Sequence, residues 1–226
     1  YDPWNRLNQL HRDLDRFFDN RLVQSAGEDS SHVATCDWMP PVDIKEEADR
    51  VCSRFKRKSG TRATAALCDI DHFKSVNDTY GHLQGDMILR QVGAILKSSM
   101  RRHFDVAGRY GGEEFLMIFE ASGPDTAFSI VERIRKKIEN HKFPAIDKAG
   151  QPDENRHISI TVSMGLAENK ALPHALKREE WINRADQALY QSKQDGRNRT
   201  TVWGPGLNIK SPEGQDPVSQ DQDPAH

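Results

Sequence analysis

The sequence is short of cysteine, nearly free of net charge, and without any long apolar run. Cys36, Cys52 and Cys68 are three in 226 residues. They are too few and too scattered for a disulfide framework, and no pair has the spacing of a zinc site. Three reduced thiols are expected, as in a cytosolic protein. A formal net charge of -2 gives no bulk attraction to a polyanion, so neither a nucleic acid nor an anionic membrane is expected as partner. It leaves room for a local cluster of Lys and Arg. No stretch approaches the roughly 20 apolar residues that cross a bilayer, and the first residues do not read as a signal peptide. A cytoplasmic location is therefore expected. With 36% hydrophobic and 29% charged residues, the composition is that of a soluble core with solvated flanks.

Periodicity divides the chain into four stretches. In residues 1–50, Trp4, Leu7, Leu10, Leu14 and Phe17 or Phe18 recur every three or four positions, predicting an amphipathic helix. A polar piece follows, then Trp38-Met39-Pro40-Pro41-Val42-Asp43-Ile44, where the double proline favours an extended segment. Residues 51–61 read as a connecting helix or linker, with Arg54, Lys56, Arg57 and Lys58 leading into Ser59-Gly60. From residue 62 to residue 203 a regular pattern emerges. The run Ala63 to Ile70 reads as a buried strand, followed by a polar turn with Asn77, Asp78 and Gly81. A helix comes next, striped by Met87, Ile88, Val92, Ile95 and Leu96. Val106 to Tyr110 and Phe115 to Phe119 flank Gly111-Gly112 as a hairpin. Pro124 opens another helix. His157 to Ala167 alternates as a strand, Trp181 to Gln194 is a last helix closed by Gly196, and Thr200 to Trp203 is an edge strand. A βαβ start interrupted by a hairpin predicts an α+β fold with a mixed central β-sheet flanked by helices. Residues 204–226, rich in Pro, Gly, Gln and Asp, read as a disordered tail.

Two acidic clusters stand where strands end. Asp69 and Asp71 close the first strand, in Leu67-Cys68-Asp69-Ile70-Asp71-His72-Phe73-Lys74. Glu113 and Glu114 follow the glycine turn. Carboxylates at neighbouring strand tips suit hard divalent cations, which prefer oxygen, and such cations stabilise an in-line displacement at phosphorus. The glycines allow close approach of a ligand to the backbone, and positive φ. The plainer reading, a hairpin turn with solvated acids, is equally compatible with spacing alone.

The motifs narrow the choice. Arg109-Tyr110-Gly111-Gly112-Glu113-Glu114-Phe115 resembles the signature of GGDEF domains, the diguanylate cyclases, in its GGEEF form. Asp69 through His82, with Gly85-Asp86, is similar to that family's metal- and guanine-binding segment. Arg184-Ala185-Asp186, Tyr190-Gln191-Ser192-Lys193 and Gly196-Arg197-Asn198 resemble its last helix. The resemblance runs from about Arg62 to Trp203 in family order. It implies the GGDEF, nucleotidyl-cyclase palm-like fold, and condensation of two GTP into cyclic di-GMP and pyrophosphate by a dimer using Mg²⁺, with Mn²⁺ as an alternative. It further implies metal ligation by Asp69, Glu113 and the Ile70 carbonyl, with Glu114 assisting deprotonation of the ribose 3′-OH. Asn77 and Asp86 would read guanine, Lys74, Lys193 and Arg197 would hold the β- and γ-phosphates, and Phe73, Gly111 and Gly112 would lie beside the nucleotide. Arg102-His103-Phe104-Asp105 stands where the family carries its RxxD product-inhibition site, so Arg102 and Asp105 are implied to bind cyclic di-GMP. His72 and His82 read as turn residues, since carboxylate sites seldom recruit imidazole.

Two features depart from that family. The usual Asp-x-Leu-Thr-Gly-Leu-x-Asn-Arg lead is missing, and Asp49-Arg50-Val51-Cys52-Ser53-Arg54-Phe55 stands in its place. Ahead of it, Tyr1-Asp2-Pro3-Trp4 through Phe18, then Asp37 through Asp49, resembles the N-terminal arm and opening strand of bacterial small heat-shock proteins, without the strand-rich domain that should follow. The leading expectation is a cyclase whose arm promotes a homodimer or higher homo-oligomer. The alternatives are a non-catalytic cyclic di-GMP or GTP binding module and a chaperone-like assembly protein.

Overall fold

Strand β1 (Arg62–Ile70) is buried along all but its first residue, which explains its mostly apolar run. The computed structural model describes residues 43–55, 61–101, 104–146, 152–171, 175–204 and 207. The amphipathic helix expected around Trp4, Cys36, the double proline, Arg102 and nearly all of the expected tail lie outside them. The elements after β1 are α2 (Phe73–Tyr80), α3 (His82–Ser99), β2 (Asp105–Gly111), β3 (Glu114–Glu120), α4 (Pro124–Glu139), β4 (Phe143–Ile146), β5 (Pro152–Ile158), β6 (Val162–Lys170), α5 (Arg178–Gln194) and β7 (Thr200–Val202); α1 (Ile44–Phe55) precedes them.

Five strands form one mixed sheet in the order β2-β3-β1-β6-β7, and β4 and β5 pair separately. β1 lies antiparallel to both neighbours, and only β6 and β7 run parallel. The period-two alternation of β1 sorts its side chains between two cores. Ala66, Cys68 and Ile70 join α2, α3, α4 and the β4–β5 pair on one face. Ala63, Ala65 and Leu67 join α1 and α5 on the other. The result is an α+β fold with a mixed central sheet flanked by helices, as the element pattern predicts.

The differences from the sequence reading are local. Residues 73–80 form a helix where a polar turn was expected, because Phe73 and Val76, three apart, bury one face. The alternation His157 to Ala167 is two strands, broken at Ser159–Thr161, where the Thr161 carbonyl accepts from the Asp71 N–H instead. The β4–β5 hairpin was not foreseen. It is tied to α3 by the buried Gln84, whose Nε2 donates to the Pro144 carbonyl at 3.1 Å and whose Oε1 accepts from the Ile146 N–H at 2.8 Å. Ile44, placed by sequence in an extended block, opens α1. Asp43 caps that helix, accepting from the N–H groups of Lys45 and Glu46 at 2.8 and 3.2 Å. Ile44, Ala48, Val51 and Phe55 then form a buried stripe. α1 crosses residue 50, the expected end of the arm, and is held by Ile44 over Gly108, by Arg54 on Glu120 and by Phe55 edge-on to Trp181.

α5 lies closest to the sheet at Gly165. A Cβ there would stand 2.1 Å from the Leu189 nitrogen and 2.2 Å from the Ala185 carbonyl oxygen, both backbone atoms that cannot swing aside. Gly165→Ala is therefore expected to cost about 3 kcal/mol or more and lower the melting temperature by roughly 6–12 °C. Unchanged melting would mean that α5 does not sit on the sheet in this way.

Candidate active site

Antiparallel pairing puts Asp69 directly across from Glu114 and Cys68 across from Phe115. Directly paired residues share a face, with Cα atoms roughly 4.5–5.5 Å apart. That face is the one covered by α5, and two α5 side chains enter the site. Lys193 Nζ lies 2.7 Å from Asp69 Oδ2. Asp186, seven residues earlier and so on the same side of the helix, adds negative charge beside Glu114.

The hairpin presents the remaining acid. β2 ends at Gly111 and β3 begins at Glu114, so the two-residue turn is Gly112-Glu113 and Glu113 is at its tip. Arg109 Nε donates to the Gly112 carbonyl at 2.8 Å and braces the turn. Gly111 and Gly112 both lie outside the left-handed φ region, so positive φ is not why glycine stands there. Space is. A Cβ on Gly112 would meet nothing within 4 Å, leaving an open approach over the turn.

Crowding and burial set the protonation of these acids. Burial, then the charge on Asp69 and on Asp186, pushes Glu114 up to about 7. Burial also raises Glu113, with Asp69 adding to it and Lys193 opposing. Asp69 is raised by burial against the pull of Lys193, with Arg197 a further cation acting on it. Three desolvated carboxylates thus face one ammonium group. Among the described residues no group of three or more His, Cys, Asp and Glu side chains is placed to hold a metal ion by itself. An open oxygen set of one or two carboxylates is, however, what Mg²⁺ takes when substrate phosphates and water complete its shell. The residues fit such an ion.

Around this centre the other expected residues fall into two groups. On α2 and α3, Asn77 is half-buried while Lys74 and Asp86 are exposed. Gly85 makes the helix pair possible, since a Cβ there would fall 2.0 Å from Asn77 Oδ1 and 3.1 Å from Phe73 Cζ. Phe73 is buried in the core and anchors α2. His72, in the left-handed region, precedes α2, and His82 opens α3. In the second group, Asp105 opens β2 with its side chain wholly buried. Arg101 grips it, with Nε and the backbone N–H at 2.9 Å from Oδ2 and Nη2 at 2.7 Å from Oδ1. Arg102, expected beside Asp105 in the RxxD site, lies outside the described residues.

Asp71 does not belong with Asp69. Both are buried, but the Asp71 carboxylate oxygens accept from Thr161, Ser163 and the Asn198 N–H instead of facing a cation. Sequence reasoning also gave Asp186 and Arg109 no role. Asp186 could have been found from its seven-residue spacing to Lys193; nothing in the sequence marks the Arg109 brace.

Residues 43–199 match the family model described as the diguanylate cyclase GGDEF domain. The chain belongs to the GGDEF-domain family. It is 41% identical over 137 residues to diguanylate cyclase A of Treponema denticola, covering 60% of this chain and 34% of that protein. It is 41% identical over 133 residues to diguanylate cyclase DgcZ of Escherichia coli, covering 59% of this chain and 41% of that protein. The chain thus spans less than half the length of these relatives. Among solved structures it resembles the GGDEF domain of DgcB from Caulobacter crescentus in complex with c-di-GMP, at 33% identity and a TM-score of 0.64, covering 77% of this chain and 98% of that one. It also resembles the active GGEEF domain of a diguanylate cyclase from Vibrio cholerae, at 29% identity and a TM-score of 0.59, covering 71% of this chain and 94% of that one.

The acid cluster makes stability depend on pH in a definite direction. With folded-state proton affinities above the unfolded values, the unfolded chain releases protons first as pH rises from about 4.5 to about 7. Folding stability in EDTA is expected to fall across that window. Glu114→Gln is expected to flatten the fall, and added Mg²⁺ to raise the melting temperature more at pH 8 than at pH 5.5. Melting curves that ignore Mg²⁺ at both pH values would contradict this account.

Proposed function

We propose that this domain is a diguanylate cyclase. Two copies, each holding one GTP, join them into cyclic di-GMP and release two pyrophosphates. The observation that carries the reading is the proximity of Asp69, Glu113 and Glu114 beside the Gly112-Glu113 turn, with Lys193 among them. The family membership and the named relatives support it.

In this reading Asn77 and Asp86 hold the guanine edge, whose N1 and N2 donors a carboxylate accepts and adenine lacks in that arrangement. Lys74, Lys193 and Arg197 bind the β- and γ-phosphates through charge-assisted hydrogen bonds. Gly112 leaves room for the triphosphate to lie close to the backbone. Asp69, Glu113 and the Ile70 carbonyl would hold Mg²⁺ or Mn²⁺, which when bound neutralises charge at the α-phosphorus and the leaving group. Glu114, half-buried and with its carboxyl pushed up to about 7, takes the proton of the 3′-OH as its oxygen attacks the α-phosphorus of the partner's GTP. The step then repeats in the opposite sense and closes the ring. Because each copy supplies one nucleotide, pairing of copies governs the rate. Arg102 serves product inhibition, while Asp105, wholly buried and held by Arg101, supports that segment without facing the ligand. GTP as substrate accords with a cytoplasmic location; among the described residues no helix is long and apolar enough to cross a membrane.

Incubation with GTP and Mg²⁺ followed by chromatography is expected to show cyclic di-GMP. Glu113→Ala should lower turnover by roughly 100-fold or more while circular dichroism stays unchanged. A folded dimer that binds cyclic di-GMP but leaves GTP intact would make the chain a binding module.

The small heat-shock-protein-like arm has a place in the same proposal, as the element that pairs the copies through its Trp4, Leu7, Leu14 and Phe18 stripe. Since α1 packs onto the sheet through Ile44 and Ala48, the informative deletion is residues 1–42. Turnover of the truncated chain should fall steeply at low protein concentration and recover as concentration rises, with GTP binding kept. An unchanged rate at all concentrations would discard the arm's role.

A further inference from the structure

Asp71 is 5% exposed, which a carboxylate tolerates only when its lone pairs are taken up. They are. Thr161 Oγ1 donates to Oδ2 at 2.7 Å, Ser163 Oγ donates to Oδ1 at 2.7 Å, and the Asn198 N–H donates to Oδ2 at 3.1 Å. The Asp71 N–H donates in turn to the Thr161 carbonyl at 2.9 Å. One residue therefore joins the end of β1, the turn between β5 and β6, and the loop between α5 and β7.

That last loop has an unfavourable backbone. Gly196, Arg197 and Asn198 have φ of 106, 62 and 47°, and two of the three are not glycine. Consecutive left-handed residues persist only where their surroundings over-determine them. Here the Arg197 N–H donates to the Ser192 carbonyl at 3.0 Å. The Asn198 side chain donates from Nδ2 to Glu139 at 2.7 Å and accepts at Oδ1 from Arg135 Nη1 at 2.5 Å. Arg197 is thus clamped between Ser192 on α5 and Asn198 on Asp71. Its cation acts on Asp69, two residues before Asp71.

We infer that Asp71 is a positioning residue, whose hydrogen bonds to Thr161, Ser163 and Asn198 hold the 196–198 loop so that Arg197 faces the triphosphate beside Asp69. The inference rests on the cyclase reading and deepens it. It makes affinity for the β- and γ-phosphates depend on a carboxylate that touches neither a phosphate nor a cation.

The test compares binding of GMP with binding of an α,β-methylene analogue of GTP, using the full chain, by calorimetry and NMR titration. Arg197→Ala should weaken the triphosphate about tenfold, the size of a charge-assisted contact, and leave GMP alone. Asp71→Ala should show the same split, and the double variant should be no worse than the poorer single one. Asp71→Asn should bind the triphosphate within about threefold of the parent. Its Oδ1 can keep the Thr161 and Asn198 bonds, while its Nδ2 donates to a rotated Ser163 hydroxyl. Thr161→Val, which keeps the volume and removes one donor, gives a milder form of the split should Asp71→Ala not fold. Equal loss for both ligands, additivity with Arg197→Ala, or an Asp71→Asn variant as weak as Asp71→Ala would overturn the inference. A parent chain with no preference for the triphosphate would instead overturn the cyclase reading.

Discussion

Pairing of β1 with β3 in one register places Asp69 opposite Glu114, and the site is built outward from that pair. A slip of one residue would turn Asp69 to the other face of the sheet, among the side chains of Ile88 and Val131. The register is protected by the alternation it creates. Ala66, Cys68 and Ile70 fill one core while Ala63, Ala65 and Leu67 fill the other, so a slipped strand would misplace apolar groups on both faces at once. Packing across the sheet thereby fixes the position of the acids at the ends of its inner strands.

Those acids work against the fold that positions them. Like charges set directly across a ladder repel, and burial removes the water that would screen them. Lys193 relieves Asp69, and Arg109 and Lys193 act on Glu113, yet Glu114 remains near neutrality. Asp71, two residues beyond Asp69, shows the opposite solution. Its charge is buried with three donors, and it serves the architecture. Two aspartates separated by one residue, both buried, thus divide their work, one paired with Lys193 among other acids, the other saturated by neutral donors.

Much of this was legible in the sequence because a few features are strongly determined locally. Ala63 to Ile70 reads as a buried strand and is one, and Gly111-Gly112 marks a hairpin whose turn is Gly112-Glu113. Pro124 opened its helix as expected. What was not legible depended on distant parts of the chain. α2 is rich in weak helix formers such as Asn77, Asp78 and Thr79, and it is a helix because Phe73 and Val76 find a core. The alternation through Ile158, Ile160 and Val162 concealed a break that only the Asp71–Thr161 bond imposes. Ile44 joined a helix because Asp43 caps it and Gly108 receives it, neither of which the neighbouring Pro40-Pro41 foretold. The acids were visible as a group, but their separation into a set facing Lys193 and a saturated Asp71 was written in Thr161, Ser163 and Asn198, far along the chain.

The central claim is that Asp69 and Glu113 share a divalent cation beside a bound triphosphate. Diffraction at the manganese edge from crystals grown with Mn²⁺ and a non-reacting GTP analogue tests it directly. The account predicts an anomalous peak at bonding distance, roughly 2.0–2.2 Å, from carboxylate oxygens of both Asp69 and Glu113. A peak held by other residues, or a nucleotide bound with those two carboxylates turned away from any ion, would contradict it.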